Sequence, residues 1–144
     1  GKKVCGILTE MSAQFDYVNH IVVGIGVNVQ NKSFPKDIES VATSLFIETK
    51  EHYHRAELVE RIWEAFEHYY EIFLQTEDLS GLVNEYNSHL VNMHQQVKVL
   101  DPKEPFEGKA MGITPKGELI VDTWESRKLV STGEVSVRGI YGYV

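Results

Sequence analysis

The period of the apolar residues changes once along this chain, and that change limits what the chain can fold into. Over residues 55–74, Leu58, Val59, Ile62, Trp63, Phe66, Tyr69, Tyr70, Phe73 and Leu74 recur at spacings of three and four with acidic residues between them. This spacing predicts an amphipathic helix, with its aromatics turned into a core. A shorter helix is expected over 80–91, with Leu82, Val83, Tyr86 and Leu90 on one face, and a short one near 45–48. Past Asn92 the pattern becomes short runs at 97–100, 106–113, 118–123, 127–130 and 134–137, parted by turn residues such as Asp101-Pro102 and Pro115-Lys116-Gly117. Close strand spacing of this kind predicts a small β-barrel. A domain boundary is therefore expected near Gln95.

The N-terminal region reads as sheet. Residues 3–10 form an apolar strand around Gly6, residues 12–19 a polar connection, and residues 21–29 a nearly continuous β-branched run. The expectation is an antiparallel pair with one strand buried on both faces. With 144 residues, 42% hydrophobic and 24% charged, the chain has an ordinary globular composition rather than that of a disordered or fibrous one. Its longest apolar stretch, at 21–29, is far below the roughly 20 residues of a membrane helix. The net charge of -7 argues against a phosphate-binding basic face and hence against nucleic acid. A single cysteine, Cys5, and an N-terminus without the layout of a secretory signal point to the cytoplasm.

Two segments could carry chemistry. Gly24-Ile25-Gly26-Val27-Asn28 has half of a dinucleotide fingerprint, but Val29 stands where a third glycine belongs and no helix pattern follows, so a Rossmann reading fails. Its glycines either let another backbone approach closely or admit a flat ligand, with the Asn28 amide able to pair with an adenine edge. Lys3, opening the first strand ahead of Gly6, is either a solvated charge or a cation for a carboxylate or phosphate. The histidines, including His52 and His54, show no matching ligand spacing, and no metal site is expected.

Lys3-x-x-Gly6-Ile7-Leu8-x-Glu10, Gly24-x-Gly26-Val27-Asn28, Ala42-Thr43-Ser44-Leu45 and Gly133-Glu134-Val135-Ser136-Val137-Arg138 occur in the order seen in bacterial biotin protein ligases. Essentially the whole chain resembles that family. The resemblance implies an α+β fold: part of a class II synthetase-like catalytic domain, a mixed or antiparallel sheet with flanking helices, over residues 1–94, then a small SH3-like barrel over 95–144. It implies ATP-dependent activation of biotin to biotinyl-5′-AMP with Mg²⁺, and transfer to a lysine of a biotin carboxyl carrier domain. It further implies that Lys3 contacts the biotin carboxyl and the α-phosphate, and that Gly6, Ile7 and Gly24 line the biotin pocket. Asn28 faces adenine, and Glu134 and Arg138 assist nucleotide binding, Arg138 with a catalytic part.

The family's Gly- and Arg-rich loop, of the type G-R-G-R-x-G, does not occur in these residues. The chain is accordingly expected to be a C-terminal portion that does not by itself form biotinyl-AMP at a normal rate. Strands without sheet neighbours are expected to favour self-association, and a homodimer is compatible with this. The competing reading is a non-catalytic SH3-like interaction module on a remnant scaffold. A proline-binding groove would draw on Phe106, Trp124, Tyr141 and Tyr143.

Overall fold

The structure, a computed structural model, describes residues 1–101, 104–131 and 136–139. The chain divides into two compact units, residues 1–61 and 62–144.

The first unit is built on a long hairpin, β1 (Cys5–Gln14) and β2 (Tyr17–Val27), paired antiparallel from Cys5↔Val27 to Gln14↔Tyr17. The connection is only the two residues Phe15 and Asp16, so the polar stretch expected at 12–19 is mostly strand. Asn19 is an extra residue opposite the Ser12–Ala13 step, a bulge that shifts the register. The expected burial of one strand on both faces is not observed. Ile7, Leu8, Ile21, Val22 and Ile25 are all exposed, Ile7 to 69%. β-branched residues favour the extended backbone by local sterics, and so they form the strand without a covering layer.

What this unit buries is Val29, Thr43 and Ser44. Beyond β2 the chain passes through turns over 36–41 and returns beside its own beginning, where Lys3 and Ala42 form a parallel bridge. Ser44 then caps α1 (Leu45–Thr49): its Oγ accepts the Ile47 N–H at 3.0 Å and donates to the Asn31 carbonyl at 2.6 Å. The helix's first free N–H groups, on Leu45 and Phe46, donate to the carbonyls of Asn28 and Val29 at 2.9 and 3.0 Å. Lys50, in the left-handed region, ends the helix.

The helix α2 (Arg55–Thr76) runs through the boundary between the units. Its aromatics stack along one face, with Phe66 and Tyr70 rings 5.8 Å apart and nearly parallel, and Tyr70 and Phe73 6.3 Å apart. The expected core role for these rings is not observed: no α2 residue is buried, and Trp63 is 64% exposed. The spacing of apolar residues sets a stripe, but only a facing element buries it.

In the second unit, α3 (Val83–His89) precedes five antiparallel strands: β3 (Gln96–Leu100), β4 (Phe106–Ile113), β5 (Leu119–Asp122), β6 (Arg127–Val130) and β7 (Ser136–Gly139), in the order β6-β5-β4-β3-β7. Strand alternation places Val97, Val99, Ala110, Val121 and Val130 in one core, with Phe106, Leu119 and Val137 packed against it. Fully burying a valine contributes about 1.5–3 kcal/mol, which makes this cluster the main store of burial energy among the described residues. Asn87 of α3 joins the helix to the sheet by accepting the Ile113 N–H at 3.0 Å.

Candidate functional site

Directly opposed residues of an antiparallel pair share a face. Gly6 opposes Gly26 and Leu8 opposes Gly24, so the three glycines lie on one face of the hairpin, and Ile7 with Ile25 on the other. A Cβ added at Gly24 or Gly26 would meet only backbone oxygens, at 3.7 and 3.8 Å, which are ordinary contacts. Within the first unit, then, no neighbouring backbone demands glycine at either position. Their shared effect is a strip of bare backbone.

Lys3 lies over that strip. Its Cε and Nζ stand 3.5 and 3.6 Å from the point a Gly6 Cβ would occupy. The backbone there is held by the returning chain: Lys3 N–H donates to the Val41 carbonyl at 2.7 Å, and the Lys3 carbonyl accepts the Thr43 N–H at 3.0 Å. The Ile7 side chain points to the opposite face, so only its backbone is available on the side of the ammonium.

Asn28 closes the other end. Its N–H donates to the Val4 carbonyl at 2.8 Å, continuing the ladder past Gly26 on the glycine face. Its Nδ2 donates to the Thr43 carbonyl at 3.0 Å, which leaves Oδ1 and one N–H for another partner. The segment that follows is pinned by Gln30, whose Nε2 donates to the Tyr53 carbonyl at 2.9 Å and whose Oε1 meets His52 Nδ1 at 2.8 Å.

Lys3, Gly6, Gly24 and Asn28 are thus brought together on one hairpin. Arg138, in β7, belongs to the second unit, where its backbone opposes Lys98 of β3. Its side chain, like the whole of Glu134, lies outside the described residues. Thr43 and Ser44 carry part of the resemblance but, like Glu48, no site role in the sequence reading, yet Thr43 supports both Lys3 and Asn28. Thr43 Oγ1 donates to Glu48 Oε1, and both Thr43 and Ser44 are buried. The available signal was local: Thr-Ser ahead of an apolar-acidic run marks a helix start.

The chain matches the family described as biotin protein ligase C terminal domain over residues 95–138. It is 32% identical over 139 residues to the bifunctional ligase/repressor BirA of Bacillus spizizenii, and likewise to that of Bacillus subtilis. Biotin protein ligase from Aquifex aeolicus superposes on 96% of the chain with 28% identity and a TM-score of 0.82 in its apo structure. The chain is similar to the C-terminal portion of biotin protein ligases. It spans 42% of the length of either Bacillus relative and 59% of the apo Aquifex chain. The Aquifex ligase in complex with biotin and ATP superposes with a TM-score of 0.79 and 28% identity, over 96% of this chain and 56% of that one. These matches agree with the α+β architecture of the chain. No described helix is long and apolar enough to cross a membrane.

Among the described residues, no group of three His, Cys, Asp or Glu side chains could hold a metal ion. The described residues therefore offer Mg²⁺ no cage of three protein ligands.

Proposed function

We propose that this chain carries part of the site at which a biotin protein ligase activates biotin and transfers it. In the first step a carboxylate oxygen of biotin attacks the α-phosphorus of ATP. The bond to the β-phosphate breaks, pyrophosphate leaves and biotinyl-5′-AMP forms. In the second, a lysine amine of a biotin carboxyl carrier domain attacks the anhydride carbonyl, AMP leaves, and the amine gives up a proton as the amide forms.

The observation that carries this reading is the placement of the Lys3 ammonium over a strip of bare backbone that ends at Asn28. Bringing a carboxylate to a phosphate sets like charges together. A fixed cation beside both lowers that repulsion and stabilises charge growing at phosphorus. The backbone at Gly6, Ile7 and Gly24 takes the biotin end, and Asn28 the adenine. Glu134 and Arg138, from the SH3-like barrel that residues 95–144 form in this reading, assist the nucleotide. Residues 1–94 are then the C-terminal part of the catalytic domain. For the rival interaction-module reading, Trp124 is 98% exposed, but Phe106 packs on the core beneath Lys128, whose Nζ is 4.5 Å from its ring centre. Tyr141 and Tyr143 lie outside the described residues.

Calorimetry with biotinyl-5′-AMP tests the proposal. Saturable heat is expected from the 144-residue chain. Lys3→Ala and Asn28→Ala should each weaken binding by about tenfold or more, the scale of a lost hydrogen bond to a charged or base-reading group. Saturable binding that both variants retain at full strength would remove the assignment.

A further inference from the structure

We propose that Thr43 and Glu48 are positioning residues that lock the carboxamide of Asn28 in the orientation that reads adenine and rejects guanine. The inference rests on Asn28 facing the base, as proposed above, and adds the device that sets its specificity.

An amide side chain presents either of two opposite patterns according to which way it is flipped. The Thr43 carbonyl removes the choice. A carbonyl oxygen only accepts, so it takes the Asn28 Nδ2 at 3.0 Å; the flipped amide would set Oδ1 against it, lone pair to lone pair. What remains free is Oδ1 with one N–H, an acceptor beside a donor. Adenine offers the complement, an amino donor beside a ring-nitrogen acceptor. At the Watson–Crick edge, where adenine presents N6 and N1, guanine offers the O6 carbonyl acceptor beside the N1–H donor, the reverse sense.

The lock is only as firm as the placement of Thr43, and that residue is held on three sides. Its N–H donates to the Lys3 carbonyl at 3.0 Å, the residue as a whole is 4% exposed, and Oγ1 donates to Glu48 Oε1. Glu48 is itself placed by the first turn of α1, through its N–H to the Ser44 carbonyl at 3.2 Å. The same residue thus anchors the backbone of the residue proposed to carry the cation and the side chain proposed to read the base.

The test compares binding of a non-hydrolysable biotinyl-5′-AMP analogue with that of its guanosine counterpart, by calorimetry on the 144-residue chain. The wild-type chain should prefer the adenosine form. Glu48→Ala, at an exposed position, should lower that preference by about tenfold, the worth of one hydrogen bond to a charged group. Glu48→Gln keeps an acceptor oxygen for Thr43 and should restore the preference. Thr43→Val should behave as Glu48→Ala does; should it fail to fold, the exposed Glu48 pair decides alone. A folded Glu48→Ala with unchanged preference overturns the lock and leaves the ligase reading standing. A wild-type chain that binds neither analogue, or binds both equally, overturns the lock together with the adenine assignment of Asn28.

Discussion

Lys3 and Asn28 are joined through a single residue, Thr43. The Thr43 N–H donates to the Lys3 carbonyl at 3.0 Å, and the Thr43 carbonyl accepts from Asn28 Nδ2 at 3.0 Å. Residues 25 positions apart in sequence are thereby held in one fixed relation, which is the preorganisation a site for a charged reaction requires.

The glycines of the hairpin should separate folding from binding. Because a Cβ at Gly24 or Gly26 meets only ordinary contacts, Gly24→Ala and Gly26→Ala should leave the melting temperature unchanged or raise it slightly. Affinity for biotinyl-5′-AMP should fall by about tenfold or more, since the added methyl occupies the bare face. A loss of thermal stability matching the loss of binding would count against a ligand-facing role.

Gly112 is of the opposite kind. Its φ of +102° is unfavourable for any other residue, and a Cβ would come within 2.6 Å of the Asn87 side chain that bonds the Ile113 N–H. Gly112→Ala should destabilise the second unit by about 2–4 kcal/mol, through backbone strain and a broken link between α3 and β4. Chemical denaturation followed by far-ultraviolet circular dichroism would measure this; a shift below about 1 kcal/mol would contradict it.

The turn between β5 and β6 should respond to acid. Asp122 is hydrogen-bonded to Arg127 at 2.6 and 3.1 Å, and that bond, reinforced by the guanidinium charge, holds its carboxyl below the ordinary aspartate range. A carboxylate whose pKa is lower in the folded state stabilises that state above the unfolded pKa of about 4. The contribution disappears as the pH falls through the lower folded value. NMR titration should show the Asp122 midpoint below that of Asp122 in Arg127→Ala. Coincident midpoints would exclude the pairing.

The exposed apolar residues of β1 and β2 should make the isolated chain self-associate as its concentration rises. Light scattering would report a growing mass, and Ile7→Lys combined with Ile25→Lys should suppress it. A clean monomer at high concentration, with these side chains intact, would contradict the expectation.

Local chemistry made much of this readable in advance. The stripe of α2, the start of α1 at Leu45 and the four strand runs from Gln96 to Val130 follow from apolar spacing, a serine cap and turn residues, all of which act over a few positions. The turn at Phe15 and Asp16 did not show, because neither residue carries the glycine or asparagine signal of a tight hairpin. Neither did the exposure of Ile21, Val22 and Trp63. An apolar pattern records a tendency to be covered, while the cover itself is a separate element.

The candidate site divides along the same line. The sequence by itself determined which groups are present: an ammonium at Lys3, bare backbone at Gly6, Gly24 and Gly26, and an amide at Asn28, in an order that matches a ligase family. Tertiary structure alone decided that the ammonium lies over the glycine face, and that Thr43 sets which atoms of the amide stay free. The physical reason is that side-chain identity is written residue by residue. The orientation of an amide is fixed by a main-chain carbonyl 15 positions away, and every residue has such a carbonyl.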